Sequence, residues 1–71
     1  MTPQEEELLT GMGNCFAACH ADFEGTIGMV ADSRGLTPDA VKATLRSLRE
    51  RFGQDPTFRR LRDRLPAEFP F

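Results

Sequence analysis

Apolar residues along this chain recur at intervals of three and four, and nowhere do they alternate as a strand would require. Val41, Leu45, Leu48 and Phe52 step by 4, 3 and 4, and Phe58, Leu61 and Leu65 step by 3 and 4. Each set therefore forms one stripe along a helix. Leu8, Leu9, Met12, Phe16 and Cys19 continue a comparable stripe, interrupted by Gly11 and Gly13. Each glycine disfavours a helix interior by about 1 kcal/mol relative to alanine. That stretch reads either as one long helix or as two, broken at "TGMGN" with Asn14 as a new cap.

Polar punctuation sets the boundaries. Thr2–Pro3 with Glu5, Thr37–Pro38, and Asp55–Pro56 each pair a capping side chain with a proline at the first helical position. Helix ends are marked by Gly35 with Leu36 behind it, by Gly53, and by Pro66. The pattern predicts helices near 3–21, 24–34, 38–52 and 56–65, the last running into an irregular tail over 65–71. The expected fold is all-α, a small bundle of three to four helices forming a single domain over 1–71. Val41, Leu45, Leu48 and Phe52 are expected to pack on Leu9, Phe16, Ile27 and Val30.

Size and composition narrow the picture. A chain of 71 residues buries only about 60% of its unfolded surface, enough for one modest core. Its 39% apolar and 28% charged content is globular. No apolar run approaches the roughly 20 residues that span a bilayer. The start "MTPQEEELL" carries three carboxylates where a signal peptide carries positive charge, so the expectation is a cytoplasmic protein with no membrane partner.

The net charge of −2 conceals a segregation. Residues 1–33 hold six acids and no Lys or Arg, whereas residues 34–64 hold nine bases against four acids. A basic half suits a phosphate-facing surface. It suits equally two halves of a fold attracting each other, or a head-to-tail oligomer.

One stretch carries spacing of a more particular kind. In "VADSRGLTPDAV", Ala31 is small enough for two helices to approach, Gly35 four residues later supplies a left-handed turn, Leu36 would plug the corner, and Val41 would pack back on Ala31. Residues 27–46 resemble the helix-turn-helix of bacterial DNA-binding proteins. The resemblance implies that the helix from Pro38 is the recognition helix, with Thr37, Asp39, Lys42, Ala43 and Arg46 facing the major groove. Lys42 and Arg46 would read guanine edges, and Arg34, Arg49, Arg59 and Arg60 would contact phosphates. A two-fold homodimer is the usual remedy for a module that grips few phosphates. Against this, Asp39 would repel phosphate, and Thr44 stands where an aliphatic residue is usual.

"CFAACH" sets Cys15 and Cys19 one helical turn apart, with His20 rotated about 100° away. Thiolates at that spacing can share a metal, but a closed zinc site needs about four ligands. Only these two thiols and this imidazole are present, so Asp22 or a second chain would have to contribute. The run also resembles the haem-attachment pattern of c-type cytochromes, with one residue too many between the cysteines. The expectation is no metal and no cofactor: two small residues buried on a core stripe beside Ala17 and Ala18, with His20 at the surface. A disulfide within one helical turn is disfavoured by geometry.

Catalytic chemistry finds no foothold. Glu5, Glu6 and Glu7 are consecutive and fan around a helix start, where they complement its dipole rather than converge in a cleft. The glycines at 11, 13, 25 and 28 follow no strand and make no phosphate loop. The expectation is a non-enzymatic protein with no catalytic residues. Two classes remain: a small DNA-binding regulator, or a helical protein-interaction module, an adaptor or assembly subunit, whose basic face meets an acidic protein.

Overall fold

A computed structural model describes all 71 residues. It contains four helices, α1 (Pro3–Cys19), α2 (Phe23–Arg34), α3 (Pro38–Phe52) and α4 (Pro56–Arg62). The chain is all-α. Thr2 opens α1 with a capping box, its hydroxyl accepting the Glu5 N–H at 3.2 Å while the Glu5 carboxylate accepts the Thr2 N–H at 2.9 Å. Thr37 caps α3 by accepting the Ala40 N–H at 3.1 Å. Asp55 caps α4, one oxygen taking the Thr57 and Phe58 N–H groups at 2.8 and 3.2 Å. Asp22 caps α2 by accepting the Gly25 N–H at 2.7 Å.

The first helix is unbroken through both of its suspect glycines, and the reason lies outside it. The Arg34 guanidinium lies across Gly11 and donates to the Glu7 carbonyl at 2.9 Å. The Arg64 guanidinium lies across Gly13 and donates to Asn14 Oδ1 at 2.9 Å. A Cβ at position 11 would stand 2.9 Å from Arg34 Nη2, and one at 13 would stand 3.2 Å from Arg64 Cζ. These glycines are seats for arginines rather than a helix break.

Two ends depart from the expected boundaries. Helix α1 stops at Cys19 because His20 takes a left-handed conformation, φ 50°, and returns its N–H to the Phe16 carbonyl at 2.7 Å. Helix α4 stops at Arg62, short of Leu65, where the chain turns and its carbonyls meet the Arg62 guanidinium. At the end of α2, Gly35 at φ 66° donates to Asp32 O, and Leu36 N–H donates to Ala31 O at 2.8 Å. This paired arrangement satisfies the Ala31 and Asp32 carbonyls in the last turn of the helix.

The core joins all four helices and the tail. Leu9, Met12, Ile27, Val41, Leu45 and Leu48 are fully buried, with Leu8, Val30, Ala31, Phe58 and Leu61 around them. Phe16 and Phe52, expected in the centre, are half-buried and pack on its margin. Thr26 is buried and donates its hydroxyl to the Asp22 carbonyl at 2.9 Å. The tail is irregular as expected, yet Leu65, Phe69 and Phe71 are core residues. Phe69 meets Phe16 and Phe23 edge-on at 5.5 and 5.3 Å, and Phe71 stacks on Phe23 at 6.2 Å.

Candidate nucleic-acid interface

Helices α2 and α3 pack on each other across the connection 35–37. Ala31 and Val41 are both buried there, as a close approach demands. Leu36 does not plug this corner, for it remains 44% exposed. The backbone bond from its N–H to Ala31 O turns the chain without needing the side chain inside. Thr44 is half-buried where an aliphatic residue was expected, and its hydroxyl is satisfied by the Ala40 carbonyl at 2.9 Å.

At 100° per residue, the buried line of α3 through Val41, Leu45 and Leu48 leaves three kinds of surface. One flank carries Lys42, Arg46 and Arg49. The opposite flank carries Thr44, Ser47 and Arg51, and Arg51 pairs with Glu5 of α1. The outermost line carries Asp39, Ala43 and Glu50, with Arg46 at its edge, and all four are exposed. Acid and base thus alternate on the most prominent line of α3.

The expected site residues divide accordingly. Lys42 is half-buried and ion-paired with Glu24 of α2 at 2.9 Å. Lys42 and Arg46, with Glu24, Phe23, Pro70 and Phe71, line a shallow groove of about 270 Å³. Arg49 is exposed and close enough to Arg62 for its charge to act on that guanidinium. Arg59 and Arg60 are exposed on α4, Arg59 one turn before Arg62 and Arg60 rotated about 200° from it. The fold holds two ion pairs, and Arg46, Arg49, Arg59 and Arg60 take part in neither. Arg34 is committed to α1, the Thr37 hydroxyl to its own helix cap, and Ala43 is exposed. The eight residues therefore do not form one surface: Lys42, Arg46 and Arg49 share a flank of α3, Arg34 lies across α1, and Arg59 and Arg60 stand on α4.

Arg62 was not singled out by its sequence context, and it is the most engaged cation in the molecule. Its guanidinium donates to the carbonyls of Leu65, Pro66, Ala67, Phe69 and Phe71 at 2.9–3.4 Å and stacks on the Phe71 ring at 4.4 Å. Partial burial pulls its pKa below the usual arginine value, opposed by Asp63. An arginine among Arg59, Arg60 and Arg64 carries no signal of this role, since its acceptors are backbone groups of an irregular segment.

The cysteines correct the sequence reading. Cys15 is half-buried and Cys19 is exposed, so neither is a core residue. Cys15 packs on the margin of the core, and Cys19, the last residue of α1, lies outside it. His20 is at the surface, its ring edge-on to Phe16 at 5.4 Å. No three His, Cys, Asp or Glu side chains converge on one point. No helix is long and apolar enough to cross a membrane. Comparison with known proteins yields no match to any family model, curated protein or solved structure.

Proposed function

We propose that this chain is a small DNA-binding regulator of helix-turn-helix type, using the flank of α3 that carries Lys42, Arg46 and Arg49, with Arg59 of α4 as a further phosphate contact. The supporting observation is the exposure of Arg46 and Arg49 on one flank of the helix that follows the Gly35-closed corner, with no internal carboxylate paired to either or to Arg59. On this reading Arg46 and Lys42 face base edges, and Lys42 exchanges Glu24 for a DNA acceptor on binding. A two-fold pair of chains supplies further phosphate contacts, and the protein works in the cytoplasm.

Titration of a labelled duplex at low and physiological salt tests this. Each phosphate neutralised contributes about −0.9 to the slope of log affinity against log salt. Arg49→Ala and Arg59→Ala are expected to weaken all duplexes alike and to flatten the slope by about 1 each. Arg46→Ala is expected to weaken a preferred site more than bulk DNA. Silence at both salt concentrations ends the DNA reading.

A helical protein-interaction module is the second reading, favoured by Asp39 and Glu50 on the outermost line of α3, which would repel phosphate. An acidic protein surface with its own basic spots matches that alternation better than duplex DNA does. In that case the same arginine changes slow association with the protein partner and leave DNA untouched.

A further inference from the structure

Two sulfur atoms meet where α1 packs on α2, and a third stands one turn further along α1. Cys15 Sγ lies 3.7 Å from Met29 Sδ. Cys19 follows Cys15 by one turn on the same side of α1. Cys19 is exposed and Met29 is 37% exposed, so the cluster opens to solvent. Cys15 packs on the margin of the core, and the Cys19 thiol and Met29 thioether are left at the surface, where packing does not account for them.

We propose that Cys15, Cys19 and Met29 form a binding site for copper(I), held by two thiolates and one thioether. Soft sulfur ligands select this cation over hard ones. A closed zinc site needs about four ligands, and the fourth is missing. His20 is turned away, its backbone tied to Phe16 and its ring set against the Phe16 ring. Planar three-coordination with metal–sulfur bonds of about 2.3 Å requires sulfurs about 4 Å apart. The Cys15–Met29 edge already has that length at 3.7 Å, and Cys19, one turn from Cys15 on the same side of α1, supplies the third sulfur. Binding replaces two S–H bonds with two copper–sulfur bonds and releases two protons to solvent, while Met29 donates a lone pair. Neither copper nor sulfur changes oxidation state. Protons compete for the same thiols, so affinity rises with pH.

The test is an anaerobic titration of the reduced full chain with copper(I) against the chelator bicinchoninate, followed by thiolate-to-copper absorption in the ultraviolet. The expected result is one copper per chain with release of two protons. Met29→Leu is expected to weaken binding by about tenfold and Cys19→Ser by about a hundredfold or more, with unchanged helical circular dichroism. Both substitutions alter exposed side chains, so loss of fold does not confuse the outcome. Failure to compete with the chelator overturns the proposal. So does wild-type affinity in Met29→Leu, or one copper shared between two chains through Cys19 alone.

Discussion

At Gly28 an added methyl group would meet no atom within 4 Å, and the residue lies inside α2. Alanine there removes unfolded-state freedom without a clash, so Gly28→Ala is expected to stabilise the protein by about 0.5–1 kcal/mol. Gly35 has equally open surroundings but a φ of 66°. Gly35→Ala is therefore expected to destabilise by about 1–2 kcal/mol through backbone strain alone. Urea unfolding of the two variants checks both, and matching signs would show that space rather than conformation governs these positions. Glu5 offers a second contrast. The Thr2 N–H, and next the Arg51 guanidinium, hold its carboxyl below the usual glutamate value. A depressed folded pKa stabilises above the unfolded value of about 4.3 and loses that contribution as pH falls through the folded one. Wild-type protein should lose stability over that acid range, and Glu5→Gln should flatten this part of the profile in thermal melts followed against pH.

Helix α4 is a single pair of turns, Pro56–Arg62, and on its own too short to be stable. Phe58 and Leu61 bury its inner side, while Arg62 binds it to the five tail carbonyls. Arg62→Leu keeps the apolar stem but leaves those acceptors without their donor. It is expected to cost about 2–3 kcal/mol, with Arg62→Lys recovering only part of it, because an ammonium cannot fork across several carbonyls. Urea midpoints measure the loss, and faster amide exchange confined to residues 65–71 would locate it. Helix α1 depends on its neighbours in a similar way, since its two glycines are covered by Arg34 at the end of α2 and Arg64 just past α4.

The molecule measures 27 × 21 × 19 Å, with four helices too few to enclose their own core. The tail completes the cover, and Phe69, 6% exposed, sits between Phe16 and Phe23. Phe69→Ala is accordingly expected to cost about 3–5 kcal/mol, as much as the 2–5 kcal/mol of Leu45→Ala in the middle of α3. A Phe69→Ala variant that unfolds at the parent's urea concentration would show the tail to be an appendage. Charge segregation resolves at this level too. Glu24 and Glu5 neutralise Lys42 and Arg51, and the acidic half thereby sets which cations stay free.

The all-helical class, the three Thr–Pro or Asp–Pro starts and the Gly35 turn were legible along the chain, because caps and apolar periodicity are interactions among residues a few positions apart. The interior of α1 was not, for the atoms that explain Gly11 and Gly13 come from Arg34 and Arg64. Nor was the burial of Phe69 and Phe71, since an irregular segment has no period to betray which side faces inward. The basic candidates were visible as residue types. Whether each was free was decided by partners on other helices: Glu24 for Lys42, the Glu7 carbonyl for Arg34, and none for Arg46, Arg49 and Arg59. Local patterning specifies where helices begin, end and turn their apolar sides, whereas pairing of charge and coverage of the core arise only when distant segments meet in space.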